Sequence, residues 1–396
     1  MRATEICIIG AGPAGLSTSF FLSKQKIPHI LLEKEYFPRE KVCGDALTTN
    51  ALYMLNRIRP GLAREWTHEK KNFLPSWGAK FYAPNGKCLQ ISLQKQNLPY
   101  APFLTIPRAA FDNLLHEMLD PRYATLLQGC EVKKLCKEPQ GVQIEALHEG
   151  NILEIQAQML VGTDGERSVV HRQLGEGTKD RESFSAAVRA YYEGVEGFSN
   201  ENQLEFFFPN ELLPGYLWVF PLPGGRANVG LGIHSEQVAR KKLNLRQMFQ
   251  QLLETHPVLS KRFANARRVS PLKGWGLPLG IKPRSLAGDR FILAGDAASL
   301  IDPFTGEGIG NAMYSGMIAA DYAQKAVKRQ RFDREILFPY QDEIRRRMGK
   351  ELKMGHRLLR LAYQPYRINV LCSVLSIPLV HRFGHRALAA WMRKWM

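Results

Sequence analysis

The sequence lacks the features of a disulfide-rich or membrane-spanning protein. Its six cysteines form no CxxC pair and no metal-ligand spacing, which favours reduced thiols in a cytosol-like compartment and no structural metal. The apolar N terminus is followed by no signal-peptide cleavage region. The apolar C-terminal stretch Ile368–Val380 is too short to cross a bilayer. We therefore expect a globular, cytoplasmic protein.

Acidic residues are scarce: 37 Asp and Glu oppose 54 Lys and Arg, for a net charge of +17. The surplus is concentrated in the segment from Lys325 to Met396, which has 17 basic and 5 acidic residues. No zinc-finger spacing, aromatic RNA-binding signature or basic repeat accompanies it, so we expect no nucleic-acid partner. A chain of 396 residues with 45% apolar content can bury a sizeable core and predicts two domains.

The first chemical motif is a glycine-rich turn near the N terminus. The strand-like segment Glu5–Ile9 precedes it, and Glu33 follows a second apolar run, Ile30–Leu32. The motif residues are Gly10, Gly12, Pro13, Ala14, Gly15 and Glu33. Glycines at this spacing allow a tight turn, backbone approach to a pyrophosphate and helix contact, while the acid binds a ribose hydroxyl. This arrangement predicts a dinucleotide site.

A second glycine-rich stretch lies near the other end of the chain, after the strand-like Phe291–Ala294. Asp296 could accept a hydrogen bond from a polyol hydroxyl. Free amides from Gly308 to Gly310, after Gly306, would face an anion or an electron-rich ring edge. A glycine-rich loop before a core helix is the alternative. The first motif favours the cofactor interpretation.

Three further loops are candidates for cofactor contact. The first loop precedes a predicted helix at Leu47–Leu55. Its Arg39 and Lys41 could pair with phosphate, and its Cys43-Gly44 backbone could reach a cofactor ring. The alternative is that Arg39 and Lys41 are solvated and that Cys43 is a small buried residue that fills space. Arg108 directly precedes a predicted amphipathic helix, Ala109–Leu119. The N terminus of a helix carries positive partial charge, so an arginine at this position is unfavourable unless an anion binds there too. Asp164-Gly165 follows an apolar strand and reads as a third cofactor loop or as a surface turn.

A mostly antiparallel sheet is predicted inside this framework. The four strand-like runs are Ala186–Val195, Gln203–Phe208, Tyr216–Pro221 and Ala227–Ile233, with a hairpin of Gly78–Tyr82 and Cys88–Leu93. Most of its aromatic residues are expected in the core. Tyr216, Trp218 and Phe220 share one strand face by their period of two, so we expect them to line a pocket.

Together these motifs resemble the geranylgeranyl reductase family, within the flavoproteins shaped like para-hydroxybenzoate hydroxylase, over residues 4–325. Most of the motifs identify only the wider flavin class. The narrower match is Tyr216-Leu217-Trp218-Val219-Phe220-Pro221, then eight residues, then Gly230-Leu231-Gly232, which resembles that family's substrate signature. Cys43 matches the cysteine that the family places near the flavin.

The resemblance implies FAD as cofactor and Cys43 as the catalytic residue. The implied FAD contacts are Gly12, Ala14 and Gly15 at the pyrophosphate, Glu33 on the adenosine ribose, Val132 at adenine through its backbone, Asp296 on the ribityl or pyrophosphate portion, Arg108 near the flavin, and the Gly308 and Ile309 amides at its pyrimidine edge. The implied substrate residues are Tyr216, Trp218, Phe220, Gly230 and Gly232.

The expected fold is α/β: a doubly wound, Rossmann-like FAD domain with an inserted antiparallel sheet and a helical C-terminal region. The expected FAD domain is formed by residues 1–75, 101–185 and 286–328, and the substrate domain by 76–100 and 186–285. Residues 329–396 form the helical, basic region. The resemblance implies that the sheet covers the isoalloxazine.

Three functions are compatible with these motifs. The first is reduction of carbon-carbon double bonds in an isoprenoid or quinone side chain. The second is an FAD-dependent monooxygenase, with halogenation disfavoured because Trp218 is not part of a WxWxIP pattern. The third is a non-catalytic lipid-binding flavoprotein, which the intact cofactor motifs disfavour. A second dinucleotide fingerprint is missing from the sequence, so NAD(P)H docks transiently or a protein such as reduced ferredoxin supplies the electrons.

The basic C-terminal region is expected to contact the inner face of a membrane and deliver a lipophilic substrate. Ile368–Val380 is flanked by arginines and lysines, with Trp391 and Trp395 suited to the headgroup level. The alternative is a helical cap on the core whose arginines are solvated.

Overall fold

The computed structural model describes residues 2–175, 177, 181–393 and 396. The chain folds into two compact units. The first is formed by Met1–Glu40, Ala109–Ser183 and Pro278–His356, and the second by Lys41–Arg108, Phe184–Leu277 and Arg357–Met396. Residues 41–75, expected in the FAD domain, thus group with the inserted sheet, and the expected C-terminal region divides after His356.

The strands are β1 Arg2–Ile9, β2 His29–Leu32, β3 Ala46–Leu47, β4 Leu74–Ser76, β5 Gly78–Tyr82, β6 Cys88–Ser92, β7 Phe103–Thr105, β8 Ala124–Leu127, β9 Cys130–Glu138, β10 Gly141–His148, β11 Asn151–Gly162, β12 Phe184–Glu193, β13 Leu204–Phe207, β14 Tyr216–Leu222, β15 Arg226–His234, β16 Arg267–Arg268, β17 Lys273–Pro278, β18 Ala287–Gly288 and β19 Phe291–Leu293. The helices are α1 Pro13–Lys24, α2 Thr49–Ile58, α3 Leu62–His68, α4 Arg108–Glu117, α5 Val169–Gln173, α6 Ser235–Arg240, α7 Leu245–Thr255, α8 Leu259–Arg262, α9 Ile309–Arg329, α10 Arg334–Leu337, α11 Pro339–Leu361, α12 Pro365–Leu375 and α13 Pro378–Arg393.

The first unit is built on a sheet with the strand order β18-β19-β11-β1-β2-β8. From β19 to β8 the strands run parallel, and β10 and β9 extend from β11 as an antiparallel pair. The C-terminal parts of the two central strands, Ile6–Ile9 of β1 and Met159–Val161 of β11, are buried apolar runs, as expected where both faces of a parallel sheet are covered. Gly10, Glu33 and Thr163 therefore follow strand ends at one edge, as in a doubly wound fold. The predicted α/β class is confirmed.

Close packing of α1 against α9 joins the two glycine-rich stretches. A Cβ at Gly316 would lie 2.4 Å from the Ala14 carbonyl oxygen, so the two backbones approach directly. The Thr18 hydroxyl donates to the carbonyls of Ala14 and Gly316 at 2.9 and 3.1 Å. Gly295 also abuts Ala14, where an added Cβ would lie 2.9 Å from the alanine Cβ. Small residues at these positions bring distant parts of the sequence together.

The second unit is built on a sheet with the order β16-β12-β15-β14-β13-β5-β6, with β17 paired to β12. The pairs β16–β12, β12–β15, β15–β14, β14–β13 and β5–β6 are antiparallel, and the β13–β5 pair is parallel. Leu217, Val219 and Phe249 belong to the core under α7 and α8, whereas Trp218 and Phe220 project from the opposite face. The predicted inserted sheet is confirmed, with strand ends that differ from the predicted ones by at most two residues. The predicted helix at Leu47–Leu55 is wrong at its start: Leu47 pairs with β7, and α2 begins at Thr49.

The C-terminal helices α12 and α13 pack on the second unit. In α12, the Asn369 side chain accepts from the Asn85 amide at 3.1 Å. In α13, Ala389 and Met392 bury against Leu93. Among the helices described, none is long and apolar enough to span a bilayer. Lys394 and Trp395, two residues of the predicted anchor, lie outside the described residues.

The α1–α9 contact predicts a sharp difference between two glycines. Gly316→Ala should lower the free energy of unfolding by about 1–3 kcal/mol, because the new methyl group collides with the backbone of α1. Gly349→Ala in α11 should leave it unchanged or raise it by about 0.5–1 kcal/mol, since nothing lies within 4 Å of that Cβ position. Urea unfolding midpoints of the two variants measure this, and equal midpoints would contradict the described packing.

Candidate functional site

Three glycines of the N-terminal turn meet different constraints. Gly10 has φ +96°, and a Cβ there would lie 2.6 Å from the Thr163 carbonyl oxygen. A Cβ at Gly15 would lie 2.0 Å from the Gly10 oxygen, so the fold itself requires both glycines. At Gly12, the N-cap of α1, the nearest atom is Nη2 of Arg39 at 3.7 Å. The space before this helix terminus is open, and its first-turn amides suit an anion.

The acid of the fingerprint is fixed at the end of β2. Glu33 is buried, and its Oε2 accepts from the Ala11 amide at 2.8 Å. Arg39 Nε lies 3.4 Å from this oxygen, and Nη1 lies 3.2 Å from the buried carboxylate of Asp112. The Arg39 side chain is only 11% exposed, so it is not the solvated loop residue of the alternative. Its guanidinium adds positive charge beside Gly12.

The second glycine-rich stretch places an acid beside the start of α9. A Cβ at Gly308 would lie 3.8 Å from Oδ1 of Asp296. Gly308 is the N-cap of α9, and Ile309 is its first residue. The Gly310 amide donates to Glu307 Oε1 at 2.7 Å, so the expected free run Gly308–Gly310 is wrong at its last position. The side chain of Glu307, the residue before the N-cap, therefore accepts a hydrogen bond from an amide of the first turn of α9.

Gly306 lies in the turn before Gly308 and has φ +70°, a conformation that favours glycine. Its amide donates to the Asp302 carbonyl at 3.0 Å. Glycine at this position is therefore explained by the turn itself.

Asp164 and Val132 occupy different surroundings. The Asp164 carboxylate accepts from the Val169 and Val170 amides at 2.6 and 3.4 Å and so caps α5. Burial raises the pKa of this carboxyl, and its hydrogen bonds oppose the shift. Its backbone borders the glycine turn, where a Cβ at Gly10 would lie 2.8 Å from its Cα. Val132 lies on β9, two residues after Cys130, whose amide donates to the Glu33 carbonyl at 2.8 Å.

In the second unit, the predicted aromatic residues share one face. Trp218 and Phe220 are buried and Tyr216 is partly exposed. Phe206 completes the group, with its ring centroid 5.2 Å from Phe220 and 5.5 Å from Tyr216, and Phe81 stacks on it at 5.2 Å. We call these five residues the aromatic wall. The sequence does not identify Phe206 as a member of this group, because Phe206, Phe207 and Phe208 are consecutive and residue type therefore does not distinguish the two faces of the strand.

Gly230 and Gly232 make room for the Trp218 indole. A Cβ at Gly230 would lie 2.3 Å from Cζ2 of Trp218 and 2.6 Å from the Val188 oxygen. A Cβ at Gly232 would lie 3.8 Å from Cζ3 of the same indole. Packing therefore explains the spacing between these glycines and the tryptophan: the indole lies over β15 at the two positions that have no side chain.

The turn containing Cys43 rests on the aromatic wall. A Cβ at Gly44 would lie 3.2 Å from the Phe220 ring and 3.7 Å from Nε1 of Trp218. Cys43 is half-buried, and its sulfur accepts from the Asp45 amide at 3.4 Å. The fold thus brings together a thiol, a close-packed glycine and an apolar surface.

Lys41 and Arg108 lie near the same turn. The Lys41 ammonium is 3.9 Å from the ring centroid of Trp275, a cation–π contact. Arg108 is buried, and its amide donates to Oδ1 of Asp45 at 3.1 Å. Both residues belong to the second unit with Cys43 and Gly44, whereas Gly12, Glu33, Arg39 and Asp296 belong to the first.

Comparison with known proteins agrees with these features. The chain is similar to a digeranylgeranylglycerophospholipid reductase of Thermoplasma volcanium, with 26% identity over 355 residues, 89% of this chain and 85% of the relative. It is also similar to a menaquinone reductase of Mycolicibacterium smegmatis, with 28% identity over 80% of this chain and 75% of the relative.

Solved structures share the fold. A geranylgeranyl bacteriochlorophyll reductase-like protein of Thermoplasma acidophilum has a TM-score of 0.83 and 24% identity, covering 95% of this chain and 92% of that one. A flavin-dependent brominase, Bmp2, has a TM-score of 0.79 and 21% identity, covering 98% and 94%. A family profile described as an FAD binding domain matches residues 3–351. The chain therefore belongs to the FAD binding domain family and is an FAD-dependent oxidoreductase.

Proposed function

We propose that the protein reduces carbon-carbon double bonds in the isoprenoid chain of a lipid or quinone. The observation that carries this proposal is the aromatic wall of the second unit with the Cys43-Gly44 turn packed on it. An apolar surface beside a thiol suits a hydrocarbon chain that must receive a proton. The named relatives, which include reductases of geranylgeranyl lipids and of menaquinone, support the same substrate class.

The first unit fits FAD by its shape and charge. Gly12 leaves space before the N terminus of α1 for a pyrophosphate, Glu33 would bind the adenosine ribose, and Arg39 would balance phosphate charge. Asp296 and the Gly308 and Ile309 amides would hold further polar groups of the cofactor. Bound FAD, once reduced, supplies the hydride equivalent that the reaction needs. We propose NAD(P)H or reduced ferredoxin as the source of electrons.

Cys43 is the proposed proton donor. Saturating one double bond adds a hydride equivalent to one carbon and a proton to the other. The Cys43 thiol would give that proton, and its sulfur already accepts from the Asp45 amide, a hydrogen bond that would stabilise the thiolate left behind. Solvent then returns the proton to the thiolate. Oxygen insertion by the same protein is the competing reaction, and product analysis separates the two.

The second unit also carries a surface suited to an anionic membrane. Five apolar residues of α12 and the turn after it are between 45% and 59% exposed, and they are Tyr366, Val370, Leu371, Val374 and Ile377. Exposed cations of the same unit accompany them: Arg357, Arg360, Arg367 and Arg386. Apolar residues beside cations fit the headgroup region of an anionic leaflet. We propose that this surface, the α12 face, holds the protein reversibly at the inner face of the membrane.

We expect Gly12→Leu to lose FAD without losing the fold. The leucine fills the space before α1, while only Nη2 of Arg39 lies within 4 Å of its Cβ position. The purified variant should be nearly colourless, with an apo melting temperature close to that of wild-type apoprotein. Gly349→Ala, far from the turn in sequence, should bind FAD normally. Full FAD occupancy in Gly12→Leu would show that the pyrophosphate lies elsewhere.

The reaction is tested by reducing the purified flavoprotein without oxygen and adding a geranylgeranyl lipid or menaquinone. Mass spectrometry should show a gain of two hydrogens per double bond, and both should be deuterium when the protein is reduced in deuterium oxide, because the N–H of reduced flavin and the thiol both exchange with solvent. Cys43→Ala should slow single turnover by roughly 100-fold, while Cys88→Ala, on the exposed edge of β6, should not. A product carrying oxygen in air and no reduced product would favour the monooxygenase.

Replacing Val370 and Val374 with glutamate should weaken sedimentation with anionic liposomes by roughly tenfold or more, because two apolar contacts are lost and two like charges are added. Wild-type binding should fall as salt rises. Ile152→Glu, at a residue 64% exposed in the first unit, is the matched control and should bind like wild type. Equal pelleting of all three proteins would remove the α12 face from the proposal.

A further inference from the structure

A buried polar network lies under the Cys43-Gly44 turn, on the sheet face that carries the aromatic wall. Asp45, Arg189 and Asn228 each have 0% relative exposure. Burying charged and amide groups is costly unless they are hydrogen-bonded. Keeping these three side chains buried therefore costs considerable desolvation free energy. Their hydrogen-bond partners indicate what role the burial serves.

Asn228 links the aromatic wall to the turn. Its Oδ1 accepts from Nε1 of Trp218 at 2.8 Å. Its Nδ2 donates to the Cys43 carbonyl at 2.7 Å and to Oδ2 of Asp45 at 2.8 Å. One amide thus uses both of its ends to connect the indole with the backbone of the cysteine.

Asp45 holds the turn from its other side. Its Oδ2 also accepts from the Tyr191 hydroxyl at 2.7 Å, and Oδ1 accepts from the Arg108 amide at 3.1 Å. The residue itself has φ +63°, a strained conformation that persists only where its surroundings enforce it. Burial raises the pKa of the Asp45 carboxyl, and the charge of Arg189 opposes that shift.

Arg189 completes the network on β12. Its Nη2 donates to the Lys41 carbonyl at 3.2 Å, and its guanidinium lies 4.2 Å from the Tyr191 ring centroid. Sheet register explains the arrangement, since Tyr191 pairs directly with Asn228 across β12 and β15. Because the strands place these side chains side by side, they bind the turn at two carbonyls and at Asp45.

We propose that Asn228 and Asp45 are positioning residues that hold the Cys43-Gly44 turn, and with it the Cys43 thiol, in place on the aromatic wall. The alternative is a network that only stabilises the sheet. Two of its bonds end on backbone carbonyls of the turn, and the strained residue is in the turn itself, which favours positioning. The inference rests on the proposed role of Cys43 as proton donor and adds the groups that fix its place.

The test is the rate at which iodoacetamide alkylates Cys43, measured by peptide mass spectrometry in the purified holoprotein, with the exposed Cys88 as internal reference. Asn228→Leu keeps the branched shape of the side chain and removes the bonds to Cys43, Asp45 and Trp218. We expect Cys43 to react faster by roughly fivefold or more, because the half-buried thiol is released from the sheet. Tyr191→Phe removes one hydrogen bond to Asp45 and should increase the alkylation rate of Cys43 by a smaller factor. This variant serves as the test if Asn228→Leu does not fold.

Gln203→Leu is the matched control. Gln203 is a buried amide in the same unit, and it bonds to the Ile91 carbonyl and to Glu201 instead of the turn. Its loss should leave the Cys43 rate unchanged even if stability falls. A wild-type rate at Cys43 in both folded network variants, or an equal increase in Gln203→Leu, would overturn the positioning role.

The activity readout separates this inference from the proposed function. Asn228→Leu should lower kcat for double-bond reduction while FAD occupancy stays near wild type, since Gly12 is unchanged. Tyr191→Phe leaves the bond between Trp218 and Asn228 intact, so it should lower kcat by less and leave KM near wild type. If alkylation responds as expected but wild-type protein reduces no double bond, the turn is positioned and the proposed reaction is wrong. If the wild type reduces double bonds and alkylation is unaffected, the reaction stands and the positioning role fails.

Discussion

The first unit depends on the direct backbone approach of α1 and α9. Ala14 and Gly316 leave no side-chain layer between the helices, and the Thr18 hydroxyl bonds to both of their carbonyls. Gly295 joins the same contact. Because the helices touch here, the turn that starts α1 and the acid-containing turn that precedes α9 belong to one rigid arrangement. A dinucleotide fold needs this proximity, since no single segment of the chain supplies every group that FAD requires.

The second unit depends on a different interaction, which holds a polar turn on an apolar sheet face. One face of its sheet packs on helices in the usual way, with Leu217 and Val219 in the core. The other face combines aromatic rings with Asp45, Arg189 and Asn228, all fully buried. Buried polar groups are tolerable where they are hydrogen-bonded, as the side chains of Asp45 and Asn228 are, and such bonds favour a single geometry. The proposed chemistry of Cys43 would exploit that single geometry.

Local sequence patterns predicted much of this. The fingerprint from Gly10 to Glu33 depends on contiguous strand, turn and helix signals, so its elements are found where expected. Tyr216, Trp218 and Phe220 share a face because strand periodicity is local. The prediction for Leu47 was wrong because a distant partner decides: β3 includes this residue, which pairs with β7 and does not begin the expected helix. At Gly310, the amide expected to be free is bonded to Glu307, a side chain that the spacing of glycines does not reveal.

Local sequence was enough to predict the fold class, the glycine turn and the acid that follows it, because backbone sterics and period-two alternation act over a few residues. It did not determine which buried polar residues serve the turn. Asn228 lies 185 residues from the Cys43 carbonyl that it binds, and Arg189 lies 148 residues from Lys41. Only the pairing of β12, β14 and β15 places these side chains on one face, since hydrogen bonds between remote strands depend on register and not on local propensity.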